Sequence, residues 1–391
     1  MAVSRNQSYW DIFCTVVDNY GDIGVCWRLA RQLAAEHGMA VRLWVDDLTS
    51  FRKLCPEINS NISEQSVQGV TVQLWTSPFP EVVPADVVIE AFACELPENY
   101  QTAMAAMPAT RRKPVWINLE YLSAENWVAG CHGLPSPHPR LPLVKHFYFP
   151  GFTPASGGLL REAGLAERRD AFQRNPAVQA DFWKTLNVVP WLTLEPDALR
   201  VSLFGYDNPA VAELLGVWAQ AESPVLCLVP ENSLLQNVAG FFGTDQLVSG
   251  NERRSGKLTV RVQPFLEQSR YDSLLWACDL NFVRGEDSLV RALWAARPLV
   301  WHIYPQQEGA HLKKLSAFME LYCAGLSVDA ATALRNFWQA WNRGEGAGQA
   351  WGDYWQHSDE LKAHARRFSE GLMKNADLAK NLLRFCEKRL E

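Results

Sequence analysis

Apolar and polar positions along this chain follow two patterns in turn. Short, nearly unbroken apolar runs alternate with stretches in which apolar residues recur at helical spacing. The run Ile12-Phe13-Cys14-Thr15-Val16-Val17 predicts a strand over 11–17, and Trp27, Leu29, Ala30 and Leu33 predict a helix over 24–37. A strand at 40–46, a helix at 49–55 and strands at 70–75, 86–90 and 115–119 follow. Alternation of this kind predicts a parallel sheet. Residues 131–154 are rich in Pro, Gly and His and predict a long irregular excursion. Residues 159–188 read as helical. A second alternating series then opens at 200–204. It continues through a helix carrying Leu214, Leu215 and Trp218, strands at 224–229 and 258–262, and a helix at 267–277. A strand at 279–283, a helix at 288–296 and a strand at 298–303 close it, and 359–389 is helical with mixed charge. The pattern predicts two α/β domains, 1–188 and 189–364, with the boundary near Pro190 and Pro196.

Each series contains one acidic glycine turn between a strand and a helix. The first is Asp18-Asn19-Tyr20-Gly21-Asp22-Ile23-Gly24, and the second is Arg284-Gly285-Glu286-Asp287-Ser288. Ligands of open parallel sheets bind beyond the carboxyl ends of the strands, so the two turns predict two domains facing one cleft. Asp22 reads either as a helix cap or as a general base. Neither turn carries the dinucleotide glycine fingerprint or a Walker lysine.

The second turn sits in a longer order of strand, turn, helix, Arg297-Pro298 and strand that recurs in nucleotide-sugar-dependent transferases of the two-domain B type. A diphosphate leaving group needs N–H donors, a helix dipole and a cation. Arg284, Ser288 and the amides after Gly285 meet that need without a metal. The competing reading is a solvated loop capped by Ser288 or Asp287. Phe204-Gly205-Tyr206 and Gln263-Pro264-Phe265 also fall at strand ends. Their aromatics suit stacking on a nucleobase and Gln263 suits the edge of uracil or thymine, although single aromatics are more often core.

Composition narrows the partners. The 391 residues are 48% hydrophobic with a net charge of −6, which argues against a nucleic-acid partner. Nine cysteines, an odd number without a C-x-x-C, point to a reducing cytosol rather than a disulfide framework. The first eight residues lack an apolar signal core and no window is long enough to span a membrane, so a soluble cytoplasmic protein is expected. His132, His138 and His146 lack metal-ligand spacing, and His302 reads as structural. No G-x-S-x-G elbow is present, and no cysteine has the context of a nucleophile.

Several stretches together resemble a known family. They are Trp10–Cys14, Val17–Arg31, Leu43–Asp47, Asn118–Glu125, Phe149–Phe152 and Asn281–Ser288. They resemble the bacterial protein-arginine rhamnosyltransferases that modify elongation factor P. The resemblance implies a glycosyltransferase B-type fold, with two Rossmann-like domains facing a central cleft. It implies that the helix at about 365–391 is able to pack back on the first domain. It also implies inverting transfer of L-rhamnose from dTDP-β-L-rhamnose to an arginine side chain, with no metal or cofactor. In that family the position of Asp22 is the base, Asp18 is functionally important and Glu286 belongs to the active site. Phe204, Tyr206, Gln263, Arg284, Asp287 and Ser288 match the nucleotide-sugar site. Asn19, Tyr20, Gly21, Phe265 and Gly285, from the same motifs, are further candidate substrate contacts. A B-type enzyme with a glycan or lipid acceptor, and a non-catalytic nucleotide-sugar binder, remain the alternatives.

Overall fold

In the computed structural model, residues 8–18, 20–108, 112–188, 195, 197–306 and 309–390 are described. The first apolar series builds strands β1 (Tyr9–Cys14), β2 (Ala40–Val45), β3 (Glu64–Val67), β4 (Val70–Leu74), β5 (Val87–Ala91), β6 (Val115–Leu119), β7 (Pro135–Pro137) and β8 (Val144–Tyr148). Its helices are α1 (Gly21–His37), α2 (Leu48–Leu54), α3 (Glu98–Ala106) and α4 (Val128–Cys131). The strands lie in the order β3-β4-β2-β1-β5-β6-β8-β7. All neighbours are parallel except the edge pairs β3/β4 and β7/β8.

β1 sits centrally, which is why Ile12, Phe13 and Cys14 are all fully buried: a parallel strand covered on both faces is apolar on both. Phe13 packs edge-on to Tyr100 at 4.8 Å, and Trp44 meets Phe79 at 4.7 Å. One charge is buried in this strand. Asp11 takes two 2.7 Å bonds from Arg42 and a third from the Tyr100 hydroxyl, so its lone pairs are satisfied.

The second series builds β9 (Leu199–Leu203), β10 (Val225–Pro230), β11 (Glu252–Ser255), β12 (Leu258–Gln263), β13 (Leu280–Arg284) and β14 (Leu299–His302). They are ordered β11-β12-β10-β9-β13-β14, antiparallel only at β11/β12. Helices α5 (Leu165–Arg174), α6 (Pro176–Thr185), α7 (Ala210–Ala219), α8 (Leu235–Phe241) and α9 (Gln268–Ala277) belong to this part of the chain. So do α10 (Asp287–Ala295), α11 (Ala310–Cys323), α12 (Val328–Arg343), α13 (Ala347–Trp355) and α14 (Ser358–Met373), and α15 (Leu378–Leu390) follows.

The chain divides into one unit of Met1–Ala163 with Leu372–Glu391 and a second of Gly164–Gly371. The division therefore falls about a helical hairpin earlier than the expected 188/189, and Pro190 and Pro196 lie outside the described residues. The physical reason is the packing of α5. Arg169 donates to the Trp294 carbonyl at 3.0 Å, Gln173 donates to the Ala295 carbonyl at 3.0 Å, and Phe172 meets Trp276 at 5.8 Å. The second unit also runs past 364. The helix expected at 365–391 is in fact α14 and α15, and only the last twenty residues return to the first unit. There Asn381 donates to the Gly157 carbonyl at 3.0 Å and Phe385 packs on Tyr148 at 5.3 Å.

The expected excursion at 131–154 is also more ordered than its composition suggested. It contains β7 and β8, which extend the sheet. Pro135 and Pro137 are tolerated because β7 is the edge strand, where a missing N–H is least costly. At the opposite edge, Gln68 (φ 50°) and Gly69 (φ 81°) form the two-residue turn of the β3/β4 hairpin.

Candidate active site

In the first unit, β1 ends at Cys14 and α1 opens at Gly21. Asp22 is the second residue of that helix and is 3% exposed. Its carboxylate turns back over the acidic turn, where Oδ2 accepts the backbone N–H groups of Val17 and Asp18, each at 2.9 Å. Asp22 is therefore not the helix cap. The cap position is Tyr20, whose side chain makes no cap bond. The Asp18 carbonyl accepts the N–H groups of Tyr20 and Gly21. A side chain at Gly21 would place its Cβ 2.8 Å from Asp18 Oδ2, so the position needs glycine for close approach. Asn19 lies outside the described residues.

Burial holds the Asp22 carboxyl above the usual aspartate range, and the nearby charge of Asp46 adds to this against the opposing pull of the two amides. Asp46 accepts the Val16 N–H at 2.9 Å, and Lys53 reaches the Tyr20 hydroxyl at 3.2 Å. Asp46 entered the sequence reading only as part of a motif, and Lys53 not at all.

In the second unit, β13 ends at Arg284 and the chain turns through Gly285 (φ 61°) into α10, with Glu286 at the cap position. The Gly285 carbonyl accepts the Trp301 indole N–H at 2.7 Å. The Ser288 hydroxyl is used inside the turn: it donates to the Arg284 carbonyl and accepts the Arg284 N–H at 3.1 Å. Glu286 pairs with Lys314 of α11 at 2.6 Å, both side chains being largely buried. Gln268 donates to Asp287 Oδ2 at 3.5 Å.

The Arg284 guanidinium lies 4.9 Å from the ring centre of Phe204 and 4.5 Å from that of Tyr206. Both rings present their electron-rich faces to a planar cation. Phe204 also meets Phe265 at 6.3 Å and Tyr271 at 5.8 Å. Tyr206 is held from behind. His302 Nδ1 accepts the Tyr206 N–H at 3.3 Å, and the two rings stand edge to face at 5.2 Å. Burial, with the Arg284 and His311 charges, pushes His302 down to about 3, so it stays a neutral acceptor. Gln263 is buried at the end of β12 and donates to the Leu186 carbonyl at 3.4 Å.

The structure thus brings Asp18, Tyr20, Gly21 and Asp22 into one turn. It brings Phe204, Tyr206, Phe265 and Arg284 into one cluster beside Gly285, Glu286, Asp287 and Ser288. Sequence reasoning missed Lys314, for which no local pattern gave a signal, and read His302 as merely structural although it backs Tyr206. The loop histidines serve local backbone: His132 accepts the Phe149 N–H at 3.1 Å and His138 accepts the Leu141 N–H at 2.9 Å. Among the described residues no group of three or more His, Cys, Asp or Glu is placed to hold a metal ion, and no helix is long and apolar enough to cross a membrane.

Two parallel-sheet α/β units, each with an acidic turn feeding a helix at the carboxyl ends of its strands, define a glycosyltransferase of the B-type fold. Residues 10–387 match the family described as elongation-factor P (EF-P) rhamnosyltransferase EarP, and the chain belongs to that family. It is 51% identical to a protein-arginine rhamnosyltransferase of Pseudomonas putida, over 98% of this chain and 100% of the relative. It is 42% identical to one of Shewanella oneidensis, over 99% and 100%. A solved structure described as the structural basis for EarP-mediated arginine glycosylation of translation elongation factor EF-P is similar with a TM-score of 0.70. It is 38% identical and covers 98% of this chain and 99% of its own.

Proposed function

We propose that this enzyme transfers L-rhamnose from dTDP-β-L-rhamnose to an arginine side chain of elongation factor P, with inversion at the anomeric carbon. The observation that carries this reading is Asp22: a buried carboxylate held above the usual aspartate range in the first turn of α1, beyond the end of β1, in a chain that matches the family along nearly its whole length.

The chemistry sets the roles. A guanidinium is protonated at neutral pH and its nitrogen lone pairs are delocalised, so it is a weak nucleophile. A carboxylate beside it orients one nitrogen and takes its proton as the nitrogen–carbon bond forms. Asp22 fills that role, because burial keeps it more basic than an ordinary aspartate. Asp18, in the same turn, helps to hold the cation. On the donor side the bond from the anomeric carbon to the diphosphate breaks, and the leaving dTDP gains negative charge. The N-terminus of α10 and Arg284 meet that charge. Phe204, Tyr206 and Phe265 supply faces for the base, and Gln263 supplies a polar group near its edge. Glu286, positioned by Lys314, faces the sugar. No metal is required by this scheme.

The test is incubation with dTDP-β-L-rhamnose and elongation factor P, followed by mass analysis. The expected result is a gain of one deoxyhexose on an arginine, unchanged by EDTA. Binding of dTDP without any mass gain would direct the search to another acceptor. Loss of activity in EDTA that Mg²⁺ restores would overturn the metal-free scheme.

A further inference from the structure

A strained segment follows β5. The backbone enters the left-handed region at Phe92 (φ 57°), Ala93 (φ 54°) and Glu95 (φ 50°). These are three of the six non-glycine residues with positive φ among the described residues. Each is unfavourable for an L-residue with a side chain. Strain of this kind persists where the surroundings over-determine it, and it clusters at functional sites.

The surroundings here are specific. The Phe92 N–H donates to the Leu119 carbonyl at 2.7 Å, and the Ala93 N–H donates to Asn118 Oδ1 at 3.2 Å. Asn118 is itself buried, and its amide donates to Glu120 at 2.6 Å. Cys94 donates from its thiol to the Phe13 carbonyl at 3.4 Å. The outcome is that the Phe92 ring lies flat on Tyr121, with centroids 4.6 Å apart and planes 21° from parallel. Tyr121 remains 36% exposed.

Position gives this pair its meaning. β5 pairs directly with β1, and β6 with β5, in the registers Phe13↔Glu90 and Glu90↔Asn118. Phe92 and Tyr121 therefore leave the same edge of the sheet as the Asp18–Asp22 turn, within two strand spacings, about 10 Å. That edge is rich in carboxylates, with Asp18, Asp22 and Glu120 all on it. An aromatic face beside carboxylates favours a planar cation, above all a guanidinium.

We infer that the Phe92–Tyr121 stack is the platform on which the arginine-bearing segment of the acceptor protein lies, so that both residues determine acceptor specificity. The inference rests on the function proposed above. Backbone strain spent on holding two rings parallel has its use in presenting a rigid planar surface, which lowers the ordering cost of binding.

The test compares Tyr121→Ala, Tyr121→Leu and Tyr121→Phe with the wild type, using elongation factor P and dTDP-β-L-rhamnose. Loss of the ring in the Ala and Leu variants is expected to raise the acceptor KM about tenfold or more, with kcat, dTDP affinity and thermal midpoint unchanged. The Phe variant is expected to behave as wild type. An unchanged acceptor KM in the Ala and Leu variants, beside an active wild type, overturns the platform alone. So does a rise in KM that Tyr121→Phe shares. A wild type that transfers nothing to elongation factor P overturns the proposed function and the platform with it.

Discussion

The carboxylate of Asp22 accepts a 2.9 Å hydrogen bond from the backbone N–H of Asp18, the other acid of the same turn. The group proposed as the base is thus also the group that shapes the turn. Asp22→Asn keeps an oxygen for the Asp18 and Val17 amides but cannot accept the substrate proton. It is expected to retain thermal stability and dTDP affinity while kcat falls at least about a hundredfold, the low end of what general-base catalysis contributes. Asp22→Ala removes the acceptor of two amides and is expected to lose about 1–3 kcal/mol of stability as well. Near-wild-type transfer by the Asn variant would remove Asp22 from the mechanism.

The pH profile follows from the same burial. Asp22 sits above the usual aspartate range first because burial disfavours its charge, and secondarily because Asp46 is near. In the proposed mechanism the active form is the carboxylate, so kcat is expected to fall on the acid side, at a pH above the ordinary aspartate pKa. Asp46→Asn removes one raising charge and still accepts the Val16 N–H, so the acid limb is expected to move to lower pH. The linkage sign agrees. A carboxyl raised on folding favours the folded state below its unfolded pKa and loses that contribution as pH rises through the folded pKa. Acid limbs that coincide in the two proteins would mean that the Asp46 charge does not raise the group that titrates.

Much of this was legible from residue pattern. β1 announced itself because a strand covered on both faces is apolar at successive positions, as at Ile12, Phe13 and Cys14. The two turns were legible because glycine and acidic residues interrupt strand-to-helix transitions. What pattern does not carry is side-chain direction. Asp22 as a helix cap and Asp22 bonded back to Val17 have the same local sequence. β7 was hidden by Pro135 and Pro137, which an edge strand tolerates, and β8 by the Pro- and His-rich stretch around it. The helices α5 and α6 were visible as periodicity, but nothing local said that Arg169 and Gln173 would bond to the second unit. Lys314 was invisible for the same reason, since its partner Glu286 lies on another element.

That ion pair supports a further expectation. Lys314 and Glu286 approach to 2.6 Å and are 14% and 17% exposed. Lys314→Met is expected to lower kcat/KM roughly tenfold, because Glu286 loses the cation that orients it. In combination with Glu286→Gln the losses are expected to be non-additive, with a coupling of about 1 kcal/mol or more. Strictly additive effects in the double-mutant cycle would mean that Lys314 does not act through Glu286.

Arg284 combines two demands that lysine cannot meet together. Its guanidinium lies 4.5–4.9 Å from the centres of the Tyr206 and Phe204 rings, and it follows β13 directly into the turn at the start of α10. A planar, delocalised cation stacks on aromatic faces and still presents a fork of N–H donors to phosphate oxygens, whereas an ammonium is a compact point charge. The backbone of the turn does not depend on the side chain, since the Ser288 hydroxyl bonds the Arg284 peptide groups. Arg284→Lys is therefore expected to keep the fold and the thermal midpoint while the dTDP dissociation constant rises about tenfold, equivalent to about 1.4 kcal/mol. Thymidine, which lacks the diphosphate, is expected to show a smaller change, because only the ring contacts are affected. Calorimetry with both ligands separates the contributions: equal losses for dTDP and thymidine would place Arg284 at the base alone, and no loss for either would remove it from the donor site.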